Sequence, residues 1–163
     1  MKKRPGRKAR TSPQAAVRTK KRGASGQAGP SIESLARRIV RMAQLPSIGA
    51  AQLRAVYNEN CTSEKATGMV AVGYAGLEQK RERWEQMRAG ECLKARNVWT
   101  GRDTICIEWD REVELREGRT VKLREIAVHE IRNGKIQHER FFYNPMAFAP
   151  GQPAASGRMP SSA

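Results

Sequence analysis

The segment from Asp103 to Pro145 carries the strongest structural signal in the chain and reads DTICIEWDREVELREGRTVKLREIAVHEIRNGKIQHERFFYNP. Its apolar residues alternate with polar ones, the period-two pattern of strands with one buried face. Turn signals at 117–119 (Glu-Gly-Arg) and 133–135 (Asn-Gly-Lys) divide it into three runs. Asn-Gly favours a tight hairpin because both residues tolerate the positive φ that the turn requires. We therefore predict an antiparallel meander, in which Arg111 interrupts the apolar set as an edge strand would.

A helix and a small hairpin are predicted upstream. Ser31 is a candidate N-cap, and Pro46 ends the helix that follows it. The apolar residues on one face of this helix are Ile32, Leu35, Ile39 and Met42. A short helical turn at 50–54 comes next, and residues 58–75 are consistent with a small hairpin or a shaped loop.

A second helix and a further strand lead into the meander. The helix is predicted to open at Gly76-Leu77-Glu78 and to end at Gly90, and residues 92–100 alternate as a strand. Helices first and a block of strands last indicate an α+β fold, with helices packed on a curved antiparallel sheet.

Most of the net charge of +15 lies at the N-terminus. Residues 1–22 hold ten Lys and Arg and no acid, and the rest of the chain has 21 basic and 16 acidic residues, a net charge of +5. Residues 1–30 are also rich in Pro, Gly and Ser, so we expect a disordered basic tail. Two interpretations stay open: an arm that binds nucleic acid or another polyanion, or a solvated extension, including one from a start codon placed too far upstream. We expect a folded domain at 31–148 and a flexible tail at 149–163.

Composition also bears on the compartment. No apolar run reaches the roughly 18 residues that a membrane helix needs, and no secretory signal is evident. The three cysteines, Cys61, Cys92 and Cys106, are odd in number and far apart, which argues against a disulfide framework. We predict a cytoplasmic protein without membrane contact.

Three motifs in this order of elements resemble the SnoaL-like, polyketide-cyclase-like branch of the nuclear-transport-factor-2-like superfamily. They are Gly76-Leu77-Glu78 at a helix start, RNGKI at 132–136 and FFYNP at 141–145. The resemblance implies an α+β roll, in which helices and a bent sheet enclose a cone-shaped pocket. It also implies a homodimer formed through the outer face of the sheet.

The resemblance suggests which chemistry is lost. In the limonene-epoxide-hydrolase branch, an Arg-x-Asp pair would fall on Glu108 and Asp110, and a later carboxylate on Phe141. Its Tyr-x-Asn would fall on Tyr57 and Glu59. Only Asp110 and Tyr57 match, so epoxide hydrolysis is not expected.

Other candidates follow from the same comparison. Asn144 stands where a closing Asp is usual, and an amide cannot take up a proton at neutral pH. We consider Asp110 as a general base with Tyr57 or His129 as its polarising partner. The ligand-binding candidates are Glu108, Trp109, Glu59, Glu125, Phe141 and Asn144. In the alternative interpretation, Glu108 and Asp110 lie on a solvated strand face paired with arginines, and the aromatic residues form core or dimer interface.

No metal is predicted, because His129 and His138 lack the short spacing of a zinc site. We also predict no organic cofactor. We expect a pocket protein for a small apolar or ring-bearing ligand, with isomerase, cyclase or dehydratase chemistry if it is an enzyme. The alternative is a non-enzymatic dimer that presents a basic arm to nucleic acid or another polyanion.

Overall fold

Helices precede and flank one sheet in the described part of this protein. A computed structural model describes residues 31–151, so the predictions for the tail at 1–30 and for residues 152–163 lie outside the described part. The helices are α1 (Ile32–Ala43), α2 (Ala50–Val56) and α3 (Gly73–Met87). The strands are β1 (Tyr57–Glu64), β2 (Val70–Val72), β3 (Arg88–Thr100), β4 (Thr104–Leu115), β5 (Thr120–Arg132) and β6 (Lys135–Phe142). A 3₁₀ turn at Pro145–Phe148 follows β6.

The predicted meander is confirmed as β4, β5 and β6, each antiparallel to the next. The β5–β6 turn places Asn133 at φ 54° and Gly134 at φ 72°, the left-handed backbone that Asn-Gly tolerates. The inner faces of β4 and β5 bury alternate residues such as Ile105, Ile107 and Ala127.

The α+β class is confirmed, but the sheet is mixed. Its strand order is β2-β1-β6-β5-β4-β3. β1 runs parallel to β6, whereas the other pairs are antiparallel. The parallel pair arises because α3 and the long strands separate β1 from β6 along the chain. The predicted small hairpin corresponds to β1 and β2.

The apolar face of α1 closes the core as predicted. Ser31 caps the helix by accepting a hydrogen bond at Oγ from the amide of Ser34, 3.2 Å away. Leu35, Ile39 and Met42 are buried in one cluster with residues of β4, β5 and β6. The burial of this stripe holds α1 over the inner face of the sheet.

Two local predictions are wrong. α3 begins at Gly73 and ends at Met87, and Gly90 lies inside β3 at a shift in register. Pairing with β4 takes up the chain from Arg88 onward, so the ladder overrides the glycine as a helix end. Arg111 does not mark an edge, because β4 lies between β3 and β5 and directs Arg111 to the inner face. Within residues 31–151, no helix is long and apolar enough to cross a membrane.

Candidate functional site

A cavity of about 210 Å³ lies between the helices and the inner face of the sheet. Its apolar wall includes residues of α2, α3, β4, β6 and the 3₁₀ turn: Leu53, Leu77, Trp84, Trp109, Phe141 and Phe148. The charged residues of the wall are Lys65, Lys80, Arg81, Glu85, Arg88, Glu91, Arg111, Glu125 and Glu139. A mainly apolar space with a few convergent polar groups is the usual form of a small-molecule site.

A buried carboxylate, Glu139 of β6, organises one part of this wall. Its side chain is 1% exposed. Tyr57 donates its phenol hydrogen to Oε2 over 2.9 Å, and Ser63 donates to Oε1 over 2.6 Å. Lys80 of α3 lies 3.2 Å from Oε1 and also hydrogen-bonds Ser63 Oγ. Three partners therefore surround this carboxylate where water does not reach it.

These partners decide the ionisation of the group. Burial alone would raise the pKa of Glu139, but the charge of Lys80 and the contacts from His129 and Ser63 outweigh it and hold the pKa well below the ordinary value. The pKa of Tyr57 is raised well above its ordinary value by burial and by the neighbouring carboxylate. At neutral pH, Glu139 is therefore ionised and Tyr57 is a neutral phenol.

His129 of β5 connects this carboxylate to the cavity. Its side chain is 4% exposed, and Nδ1 lies 3.3 Å from Oε2 of Glu139. The ring packs edge-on against Phe141, with 6.4 Å between centroids. Both ring nitrogens are buried and neither makes a hydrogen bond among the residues described, but only Nδ1 has a carboxylate close by. A carboxylate behind Nδ1 favours the tautomer with its proton there, which leaves Nε2 as an acceptor.

A second buried charge cluster centres on Arg111 of β4. Its guanidinium lies 3.4 Å from Glu91 Oε1 and 3.1 Å from Glu125 Oε1. Arg88 and the indole of Trp84 also bind Glu91, at 2.9 Å and 3.0 Å. Burial raises the pKa of Glu125, although Arg111 and Lys80 act to lower it. Arg111 therefore bridges β3 and β5 across the floor of the cavity.

Lys65 is the cation of the wall that lacks an ion pair. Its ammonium lies 5.6 Å from the centroid of the Trp84 ring, and no hydrogen bond or ion pair to it occurs within residues 31–151. Burial lowers its pKa to about 8, and the positive charges of Lys80 and Arg111 contribute to the decrease. Arg111 contacts the same ring, with Cζ 5.3 Å from the centroid.

The structure brings five of the predicted residues to the cavity and leaves four outside its lining. Those in the lining are Tyr57, Trp109, Glu125, His129 and Phe141. Asp110 lies on the outer face of β4, where Arg96 Nη1 is 3.0 Å and Arg124 Nε 3.7 Å from its carboxylate. Glu108 shares that face and accepts a 2.7 Å hydrogen bond from Asn97. Glu59 is exposed on β1, and Asn144 is exposed and caps the 3₁₀ turn through Met146. The paired-arginine interpretation therefore describes the surroundings of Glu108 and Asp110.

Several residues of the site were not among the predicted candidates. Lys80, Ser63, Glu91 and Lys65 come from elements whose polar faces look like ordinary surface in the sequence. Arg111 had a usable signal, because it occupies an inward position in the alternation of β4. No group of three or more His, Cys, Asp or Glu within residues 31–151 could hold a metal ion. The prediction of a metal-free, cofactor-free site stays a prediction.

Comparisons with known proteins agree with this architecture. A SnoaL-like polyketide cyclase from Mesorhizobium loti is 21% identical, with a TM-score of 0.58 over 69% of this chain and 99% of its own. Another, from Jannaschia sp. CCS1, is 10% identical and has a TM-score of 0.61. The match covers 69% of this chain and 87% of that protein. TerC, co-crystallised with polyporic acid, is 17% identical and has a TM-score of 0.58. The match covers 70% of this chain and 90% of TerC.

These likenesses, all below 25% identity, establish the fold. No curated protein sequence matches the chain. A sequence model of the SnoaL-like domain, however, matches residues 32–143. This range includes every α-helix and β-strand described above, the motifs at 76–78 and 132–136, and the first three residues of the motif at 141–145. The chain therefore belongs to the SnoaL-like domain family.

Proposed function

We propose that this protein binds a ring-bearing small molecule in the cavity and catalyses a proton transfer on it, without a cofactor. The observation that carries the proposal is the buried imidazole of His129, which has an ionised carboxylate behind Nδ1 and no hydrogen-bond partner at Nε2. The aromatic wall formed by Trp84, Trp109 and Phe141 suits a planar ligand. TerC, which has this fold, was co-crystallised with polyporic acid, and that supports a small-molecule ligand for the fold.

The chemistry that suits this arrangement is abstraction of an acidic C–H next to a carbonyl. Nε2 of His129 would take the proton, and the carboxylate of Glu139 would stabilise the resulting imidazolium. Return of the proton to another carbon gives isomerisation, and attack of the carbanion within the ligand gives cyclisation. Asp110 was the base suggested by the sequence, but it lies outside the lining, so we assign this role to His129. Tyr57 donates a hydrogen bond to Glu139 and so helps to hold this carboxylate beside His129.

The test is hydrogen–deuterium exchange of β-tetralone, a ring-bearing ketone with an acidic benzylic C–H, followed by NMR in D₂O. We expect the protein to accelerate exchange, and His129→Gln to reduce the protein-dependent rate about 100-fold or more. The matched control is His138→Gln, since His138 is the only other histidine of the chain and lies half-exposed away from the cavity lining. Full activity in His129→Gln, or loss of activity in Asp110→Asn alone, would reject this assignment.

We further propose a homodimer formed through the outer face of the sheet. Exposed apolar residues lie there on neighbouring strands: Trp99 and Phe142 are each 52% exposed, and Ile126, 38% exposed, is paired with Phe142. Val128 and Cys106 join Trp99 in the adjacent row. An exposed apolar patch with a charged rim is typical of a protein interface.

A further inference from the structure

The charges of the cavity wall do not balance. Its four glutamates each have a cation partner: Glu139 pairs with Lys80, Glu125 with Arg111, Glu91 with Arg88 and Arg111, and Glu85 with Arg81. Lys65 remains without an ion pair within residues 31–151. The wall therefore carries one positive charge more than its carboxylates offset.

The unused hydrogen-bonding capacity of the wall points the same way. Arg81 Nε and Arg111 Nε are buried and have no hydrogen-bond partner within residues 31–151. The two buried carboxylate oxygens without a hydrogen bond, Glu91 Oε1 and Glu125 Oε1, each lie within 3.4 Å of the Arg111 guanidinium. Arginine and lysine side chains donate and cannot accept. The arginines of the wall therefore keep unused donor capacity and positive charge, whereas its carboxylates already face cations.

Trp84 brings the unpaired cation and one of these donors to the same part of the wall. The Lys65 ammonium and the Arg111 guanidinium both lie within 6 Å of its ring centroid. Lys65 is half-buried, and desolvation of an ammonium without a counter-ion is costly. An anion in the cavity would remove that cost, and an aromatic ring attached to it could pack on the indole.

This inference rests on the proposed use of the cavity as a ligand site. We propose that the ligand is an aromatic carboxylate, whose carboxylate group pairs with the Lys65 ammonium on the part of the wall where Arg111 also approaches Trp84. Such a contact would hold the ligand by a charged group that takes no part in the reaction. It would fix which carbon of the ring system approaches His129.

The test compares two probes of the same shape, naphthoate and the neutral naphthamide, by isothermal titration calorimetry on the full chain. We expect the protein to bind naphthoate about tenfold or more tightly, a difference of about 1.4 kcal/mol. Lys65→Gln should reduce this preference to about twofold or less. Lys65→Arg should keep the preference. Lys94→Gln, which removes an exposed lysine that is paired across the strands with Asp110 on the outer face, is the matched control.

The outcomes separate this inference from the proposal on which it rests. Equal binding of the two probes by the unmodified protein overturns the inference and leaves the aromatic cavity standing as a ligand site. A preference that persists in Lys65→Gln also overturns it. Binding of neither probe overturns the proposed function itself, and the inference with it. If Lys65→Gln fails to fold, equal binding of the two probes by the unmodified protein still overturns the inference, and Lys65→Arg still tests whether a cation at this position keeps the preference.

Discussion

Glu139 holds a negative charge where water does not reach it, and its partners make that possible. Lys80 supplies the opposite charge, while Tyr57 and Ser63 supply hydrogen bonds. Without these partners the group would neutralise, because desolvation favours the protonated acid. The same partners hold the carboxylate as an acceptor beside His129, so that stability and the proposed chemistry depend on one set of contacts.

Replacing Glu139 by Gln should destabilise the protein by about 3 kcal/mol, since it leaves Lys80 and His129 beside a neutral amide in a buried place. The pKa of Glu139 is lower in the folded state than in the unfolded state. Its contribution to stability is therefore complete above the unfolded value of roughly 4.3 and is lost as pH falls toward the folded value. Urea unfolding at pH 7, 5, 4 and 3 should show the gap between the two proteins narrowing below about pH 4.

The raised pKa of Glu125 acts in the opposite direction, and because the charge of Glu139 contributes to that increase, Glu139→Gln should also bring the pKa of Glu125 down. Glu114→Gln, at an exposed position of β4, is the control and should leave both stability and its pH dependence unchanged. A gap that stays constant from pH 7 to pH 3 would show that Glu139 does not carry its charge in the folded protein.

At the scale of the elements, an irregularity in β6 places the central carboxylate. Ile131 is paired with Ile136 and Glu130 with His138, so Gln137 is an extra residue of β6, a β-bulge. Strict alternation from the buried Ile136 would direct His138 inward and Glu139 outward. The bulge reverses this order after Gln137. The side chains of Glu139 and Phe141 therefore point toward the core.

Deletion of Gln137 should therefore leave the faces of β6 unchanged, because regular alternation from Ile136 then brings Glu139 inward without a bulge. We expect a folded protein that loses about 1 kcal/mol with the hydrogen bond from Gln137 to the Asn60 carbonyl. Deletion of Val128, in a regular part of β5, is the matched control and should prevent folding, since it reverses the faces of half the strand. Near-ultraviolet circular dichroism and urea unfolding measure both. Equal loss of structure in the two deletions would contradict the role of the bulge.

The elements also show which kinds of signal a sequence carries. The meander and α1 were predictable because alternation, an Asn-Gly turn and a serine cap act over a few neighbouring residues. Glu139 could not be assigned to the inside, because the bulge depends on pairing with β5 and β1. Asp110 and Glu108 looked like a catalytic pair because the phase of a strand is known only relative to its neighbours. Lys80 and Arg111 meet at the cavity only once α3 lies across the sheet.

At the scale of the whole molecule, the basic segment at 1–30 lies outside the described residues, and its use stays a prediction. If it is a polyanion-binding arm, deletion of residues 1–30 should abolish binding of a duplex oligonucleotide by the full chain. Binding by the intact chain should weaken steeply with salt. Fluorescence anisotropy at several salt concentrations measures both effects. Equal binding with and without the segment would favour the alternative of a solvated extension.

The proposed dimer is the other property of the whole molecule, and it makes a separate prediction. Phe142→Glu places a charge in the outer apolar patch, and we expect it to weaken self-association about tenfold or more, because desolvated aromatic residues dominate interfaces. Val70→Glu is the matched control: Val70 is 53% exposed, close to the 52% of Phe142, but lies on the edge strand β2. Sedimentation equilibrium over a range of concentrations measures the mass of each protein. A monomer at every concentration, or equal weakening by both substitutions, would contradict an interface on the sheet. The cavity opens on the opposite, inner face of the sheet, so dissociation should leave exchange catalysed through His129 intact.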